Sequence, residues 1–117
     1  MDKELLEVKW EKLVNYVSEN YGGGEKLDLQ AILFLIGVQE LGQGYREFAK
    51  DEKMDLLHIA ICKLLSQFGY YNFTENDKDG WPHYESNKKL PPLSPFKQEE
   101  LMKEAAINYF AEANISF

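Results

Sequence analysis

Four side chains in one segment of the sequence are of types that do chemistry: Asp51, Asp55, His58 and Cys62. Successive members are four, three and four positions apart, which places them within a stripe about 60° wide on one side of an α-helix. His58 is then within side-chain reach of both Asp55 and Cys62. Cysteine, histidine and carboxylate are the components of an activated thiolate and also of a zinc site. The pattern therefore raises two enzymatic hypotheses, one thiol-dependent and one metal-dependent.

The same side chains also have an ordinary structural interpretation. Neighbours on one straight helix point in the same direction, so they do not converge on one reacting atom as a catalytic triad does. A free cysteine is usually a small buried apolar residue, and a histidine at the edge of a core commonly pairs with a nearby carboxylate. We therefore favour a structural role for Cys62 and keep the enzymatic role as the alternative.

A metal site would need ligands from outside this helix. Glu40 at the end of the preceding helix and His83 in a later segment complete a possible set of Glu40, Asp55, His58 and His83. Carboxylate and imidazole ligands inside a helical bundle suit a divalent metal. Dinuclear iron bundles, however, carry a Glu-x-x-His motif on each of two helices, whereas this chain has a single Asp-x-x-His, at residues 55–58. We therefore predict no cofactor, with a divalent metal as the alternative.

A segment rich in aromatic residues follows the third helix. Residues 70–74 read Tyr-Tyr-Asn-Phe-Thr, which is typical of a β-strand, and Asp79-Gly80 indicates a turn before a returning strand at 81–85. Aromatic side chains with polar tips suit interfaces because they bury area and still form hydrogen bonds. The alternative is that they only pack the hairpin onto the helices. The expected binding residues are His58, Tyr71, Trp81, His83 and Tyr84.

Two stretches give the chain a family resemblance. They are Leu57-His58-Ile59-Ala60-Ile61-Cys62 and Asp79-Gly80-Trp81-Pro82-His83-Tyr84. With these stretches the chain resembles a family of small conserved bacterial proteins that carry no assigned function. The resemblance covers most of the chain, and it implies no activity, cofactor or site.

Amphipathic helices must position these segments. Spacings of three and four predict a first helix over about residues 3–20 and a third over about 51–68. Residues 28–41 are apolar on nearly all sides, which favours a central helix covered by the others, although residues 32–38 alone would also suit a buried strand. The predicted buried faces are Leu6, Trp10, Leu13, Val14, Val17 and Tyr21 in the first helix and Met54, Leu57, Ile61, Leu64 and Phe68 in the third.

Local signals mark where the helices begin and end. Asp2, Asp28 and Ser94 are placed to cap helix starts, and Pro95 suits the first position of a final helix. Gly22–Gly24, Gly42 and Gly69 are expected to end helices. The predicted fold class is mainly α (α+β), with about four helices around a central apolar helix at 28–41. A short β-hairpin near 70–85 precedes the last helix.

Composition and charge limit the classes of partner. The 117 residues carry a formal net charge of −7, and an acidic surface repels both phosphate backbones and anionic membranes. We therefore expect no nucleic-acid or membrane partner. The chain has one cysteine and begins without the basic, then apolar pattern of a signal peptide, which favours a cytoplasmic protein. Its length predicts a single domain over residues 1–117.

These observations favour one function and leave one alternative. The favoured function is a small cytoplasmic interaction or accessory module that binds a protein partner or self-associates through the aromatic hairpin. The alternative is a metal- or thiol-dependent enzyme with a site around His58 and His83. The predicted position of a functional surface is where the hairpin meets the third helix.

Overall fold

The structure is a computed structural model that describes residues 2–115. Within that range the chain forms four helices and one antiparallel hairpin: α1 (Lys3–Tyr21), α2 (Leu29–Leu41), α3 (Lys50–Ser66), β1 (Tyr71–Asn76), β2 (Pro82–Ser86) and α4 (Pro95–Glu112). The predicted mainly α fold with a hairpin before the last helix is confirmed. Between residues 2 and 115, no helix is both long enough and apolar enough to cross a membrane.

The predicted helix caps are formed. The side chain of Asp2 accepts a hydrogen bond from the Glu4 N–H at 2.8 Å, and that of Asp28 accepts one from the Ala31 N–H at 2.9 Å. The Ser94 hydroxyl accepts a hydrogen bond from the Lys97 N–H at 3.2 Å. These bonds satisfy N–H groups that have no partner inside the helix.

The contacts of the chain divide it into two compact units, Met1–Ile32 with Pro92–Phe117 (unit 1) and Leu33–Pro91 (unit 2). In unit 1, α1 packs against α4. The ammonium of Lys103 lies 5.5 Å from the centre of the Trp10 ring. Tyr21, predicted on the buried face, is 59% exposed, because it is the last residue of α1. The buried residues of the two helices are Leu6, Trp10, Leu13, Val14, Val17, Ala105, Ala106, Ile107 and Phe110.

Unit 2 contains most of α2 together with α3 and the hairpin. Its core includes Val38, Leu41, Phe48 and Leu56, with the half-buried rings of Phe34 and Trp81 packed against them. Burial of these apolar side chains is the main force that holds the hairpin segment onto the helices.

The helices α2 and α3 come very close together in unit 2. A Cβ atom at Gly37 would meet the carbonyl group of Leu56. Glycine is therefore required in the middle of an otherwise apolar helix, where it lowers helix propensity by about 1 kcal/mol relative to alanine.

The buried face of α3 differs from the predicted one. The structure buries Leu56, Ile59, Ala60, Cys62, Leu64 and Leu65. Of the predicted residues, Leu64 is buried and Met54 is 66% exposed, while the others are half-buried. Apolar residues occur all around this helix, so the spacing alone did not decide which of them faces the core.

The hairpin has an irregular register. Phe73 lies opposite Tyr84 and Glu75 lies opposite His83, so Thr74 is the extra residue of a β-bulge. Its hydroxyl donates a hydrogen bond to the His83 carbonyl at 3.0 Å. A bulge locally bends and twists the strand that contains it.

Pro82 fits this ladder without losing a hydrogen bond. The N–H of Asp77 donates to the Trp81 carbonyl at 2.9 Å, and the next pair along is Asn76 with Pro82. Because hydrogen-bonded and non-hydrogen-bonded pairs alternate in an antiparallel ladder, Pro82 falls in a pair that exchanges no bonds. Its missing N–H therefore costs nothing there.

A candidate binding cleft between the third helix and the hairpin

An open cleft of about 420 Å³ lies in unit 2, where α3 meets the hairpin. Its walls combine carboxylates, two imidazoles and apolar or aromatic groups. The cleft thus offers charge, hydrogen-bonding capacity and apolar surface together, which is typical of binding sites. The lining residues are Glu52, Asp55, His58, Ile59, Asp77, Trp81, Pro82, His83 and Tyr84.

The side of the cleft formed by α3 carries two carboxylates. Glu52 accepts a hydrogen bond from the Ala49 N–H at 2.9 Å and pairs with Arg46 at 3.1 Å. The Ala49 N–H, then the Arg46 guanidinium, lowers the pKa of Glu52. Asp55, one turn further along, is exposed.

The side formed by the hairpin is organised by Asp77. One oxygen of this carboxylate accepts hydrogen bonds from the N–H groups of Asp79 and Trp81 at 2.9 and 3.0 Å. The other oxygen lies 3.0 Å from Nε2 of His83. The contact with His83, followed by the bond from the Trp81 N–H, lowers the pKa of Asp77. Asp77 therefore stays ionised and holds both Trp81 and His83 in the wall of the cleft.

Trp81 connects the cleft to the core. Its ring is half-buried, with part packed on the core of unit 2 and part in the cleft wall. Elsewhere in this unit, Arg46 lies 4.4 Å from the centre of the Phe48 ring and Lys88 lies 4.8 Å from that of Tyr70. Among the described residues, no lysine or arginine is seen over Trp81.

Cys62 is fully buried behind the cleft. Its sulfur lies 3.5 Å from Nε2 of His58, and its relative exposure is 0%. Burial raises the pKa of the thiol to about 11, whereas a catalytic thiolate needs a lowered pKa. The Cys62–His58 contact predicted from the spacing is present, but it does not activate the thiol.

Glu40 lies outside the cleft lining. Its carboxylate is 3.9 Å from the ammonium of Lys63. Of the proposed metal ligands, Asp55, His58 and His83 therefore share the cleft and Glu40 does not. Over residues 2–115, no group of three or more His, Cys, Asp or Glu side chains is arranged to hold a metal ion. The arrangement gives the metal hypothesis no support.

The two tyrosines expected at the interface occupy different positions. Tyr84 lines the cleft and is half-buried. Burial, then the nearby charges of Glu40 and Cys62, raises its pKa to about 12. Its ring packs edge-on against Phe73, with 5.8 Å between ring centres. Tyr71 is half-buried on β1 and lies outside the lining.

The structure thus brings together four of the five expected binding residues: His58, Trp81, His83 and Tyr84. Glu52, Ile59, Asp77 and Pro82 also line the cleft and were not among the expected binding residues. For two of them a signal was available, because Glu52, Asp55 and Ile59 are three and four positions apart and so share one face of a helix.

Comparison with known proteins leaves the cleft as the main guide to function. The chain matches no protein-family model, no curated protein and no solved structure.

Proposed function

We propose that this chain is a small interaction module that binds a protein partner through the unit 2 cleft and the adjoining hairpin. The observation that carries the proposal is the shared position of His58 from α3 and Trp81, His83 and Tyr84 from the hairpin segment. Tryptophan and tyrosine side chains are among the groups that protein interfaces favour. We place the module in the cytoplasm because a chain with a single, buried thiol needs no oxidising compartment.

A different protein is a better partner than a second copy of the same chain. The hairpin from Tyr71 to Ser86 carries four carboxylates and one lysine. Two copies that met through this surface would bring like charges together, which opposes association. Self-association through the hairpin is therefore the less favoured form of the proposal.

The exposed ring of Phe73 supports a role for the hairpin beyond packing. This side chain is 54% exposed and contacts Tyr84, which lines the cleft. An exposed aromatic ring beside a concave surface extends the apolar area that a partner can cover. The hairpin and the cleft thus present one continuous surface.

The enzymatic alternative has less support. A thiol mechanism requires a reactive Cys62, and its raised pKa and full burial oppose that role. A metal mechanism requires at least three converging ligands, and Glu40, the fourth residue of the predicted set, lies beside Lys63. We therefore keep the interaction module as the proposal.

Photo-crosslinking in the cells that naturally contain the protein tests this proposal. We replace Phe73 with the photoreactive residue p-benzoylphenylalanine, which exchanges one exposed aromatic ring for another. Tyr21 provides a matched control, because it is also aromatic and is 59% exposed, at the end of α1. We expect one covalent adduct of defined mass from position 73 and none from position 21.

The mass of the adduct separates the possible outcomes. An adduct with a different protein supports the proposal. An adduct of twice the mass of the chain shows self-association, and the surface is then confirmed with a second copy as its occupant. Equal labelling of the two positions, or no adduct at position 73, contradicts the proposal.

A further inference from the structure

We infer that the partner places a basic side chain in the unit 2 cleft, with an arginine or lysine against Trp81 and next to Asp55. This inference rests on the proposed function and specifies the chemistry of the partner. The occupant is a peptide segment in which basic residues are interspersed with apolar ones.

The charge of the cleft selects a cation. Three carboxylates line it, those of Glu52, Asp55 and Asp77, and no lysine or arginine is among its described lining residues. Hydrogen bonds hold Glu52 and Asp77 in their ionised forms. Arg46 offsets part of the charge of Glu52, which leaves Asp55, an exposed side chain, as the carboxylate best placed for a new partner.

The ring of Trp81 provides a second, independent reason to expect a basic side chain in the cleft. Indole is the side chain with the strongest attraction for a cation over its face. The rings of Phe48 and Tyr70 in the same unit already have a cation of the chain above them. Trp81 lies in a cleft with no such cation from the described part of the chain. A partner that brings a guanidinium or an ammonium would fill this position.

The remaining walls suit the rest of a basic side chain. Ile59 and Pro82 add apolar surface to the cleft, and arginine and lysine have apolar stems that pack on such surface while the charged end reaches a carboxylate. A basic segment therefore uses both the charged and the apolar parts of the lining.

The overall charge argues against the other sources of a basic group. A second copy of this chain would bring a net charge of −7 toward the same acidic surface, which lowers both the rate and the strength of association. A basic segment of a different protein is attracted by that charge. We therefore commit to a peptide of a different protein as the occupant.

Fluorescence anisotropy with three labelled peptides tests the inference on the complete chain. The first peptide alternates leucine with arginine over nine residues, the second has citrulline in place of arginine, and the third has glutamate there. Citrulline preserves the shape of arginine without its charge. We expect the arginine peptide to bind at least about tenfold more tightly than the citrulline peptide, since several charge-dependent contacts are lost together. The glutamate peptide is expected not to bind.

Substitution of Asp55 locates the binding. Asp55→Asn should weaken binding of the arginine peptide about two- to fivefold, as for one exposed charge pair. The matched control is Asp51→Asn, which removes the same charge from the same helix at a residue outside the lining. We expect this control to leave the affinity within about 1.5-fold of the unchanged protein, because Asp51 lies outside the lining and its exposed charge interacts only weakly with a cation bound in the cleft.

Substitution of Trp81 tests the aromatic wall. Trp81→Phe keeps an aromatic ring on the core while weakening the attraction for a cation, and it should reduce affinity about two- to fivefold. Tyr45→Phe is the control, at an aromatic residue of unit 2 that is 79% exposed and outside the lining, and it should leave the affinity unchanged. If the Trp81 variant fails to fold, the comparison of Asp55 with Asp51 still decides, because both side chains are exposed.

Two results would overturn the inference. One is equal affinity for the arginine and citrulline peptides, and the other is an equal loss for the Asp51 and Asp55 variants, which indicates binding by overall charge alone. If photo-crosslinking at position 73 identifies a different protein but the arginine peptide does not bind, the inference fails and the proposed function stands. If crosslinking also fails, both fail.

Discussion

At the scale of single residues, burial decides what the His58–Cys62 pair can do. The spacing of four positions predicted the contact, and the structure places the two side chains 3.5 Å apart. The spacing did not reveal that the thiol is fully buried, because burial depends on which side of α3 faces the core. Burial raises the pKa of the thiol to about 11, whereas a catalytic thiolate needs a lowered pKa.

Alkylation of Cys62 tests this conclusion. At about pH 7.5, a thiol whose pKa is raised from 9.0 to about 11 has a thiolate fraction roughly 100-fold smaller than before the shift. We expect iodoacetamide to modify folded protein at least about 100-fold more slowly than protein unfolded in guanidinium, as followed by intact-protein mass spectrometry. Rapid modification of the folded protein would show that Cys62 is accessible and would restore the thiol hypothesis.

At the scale of secondary-structure elements, the features set by neighbouring residues in the sequence were predicted better than those set by packing between elements. The starts of α1, α2 and α4 follow from caps at Asp2, Asp28 and Ser94, which act within one turn of the chain. The hairpin follows from its turn residues and aromatic strands. The buried face of α3 was predicted wrongly at Met54, because the choice between apolar sides depends on α2 and the hairpin. The bulge at Thr74 is not marked by a glycine or proline in the sequence around it.

The close contact of α2 with α3 at Gly37 predicts that a larger residue at this position destabilises the protein. In Gly37→Ala the new methyl group would collide with the Leu56 carbonyl, which is backbone and cannot rotate away. We expect a loss of about 1–3 kcal/mol in the free energy of unfolding from overpacking, even though alanine favours a helix. Urea denaturation followed by circular dichroism measures the change.

Gln39→Ala provides the control for this substitution. Gln39 is an exposed residue of the same helix, so its replacement should change the free energy of unfolding by less than about 0.5 kcal/mol. A Gly37→Ala variant that is at least as stable as the unchanged protein would contradict the close contact between α2 and α3 at this position.

At the scale of the whole molecule, the cleft joins segments far apart in sequence. Its lining comes from residues 52–59 of α3 and from residues 77–84 of the hairpin segment. The sequence predicted that a functional surface would lie where these segments meet, and His58 and His83 do share the cleft. The position of Glu40 was not predictable in the same way, because its contact with Lys63 depends on the packing of α2 against α3.

Alkaline pH should destabilise the molecule through Cys62 and Tyr84, two acids whose pKa values are raised by burial. The pKa of Cys62 is raised from 9.0 to about 11, and that of Tyr84 is raised from 10.0 to about 12. The unfolded chain therefore releases these protons at lower pH than the folded chain does. The stabilisation is fully present below about pH 9 and is lost as the pH rises toward about 12. Urea denaturation at several pH values should show the free energy of unfolding falling across this range.

Tyr84→Phe isolates the contribution of the tyrosine. We expect a smaller loss of stability between about pH 10 and 12 than in the unchanged protein. The control is Tyr45→Phe, at a side chain that is 79% exposed, and it should preserve the original pH dependence. If the free energy of unfolding fell equally steeply with pH in both variants, the pKa of Tyr84 would not be raised in the folded protein.

The most direct test of the binding surface is the yield of photo-crosslinking from position 73 in variants with reversed charge on α3. Asp55→Lys places a positive charge in the cleft, whereas Asp51→Lys makes the same change outside the lining. We predict that the partner adduct is lost in Asp55→Lys and retained in Asp51→Lys, because Asp55 lines the proposed binding cleft and Asp51 does not. Equal adduct yields from the two variants would contradict that account.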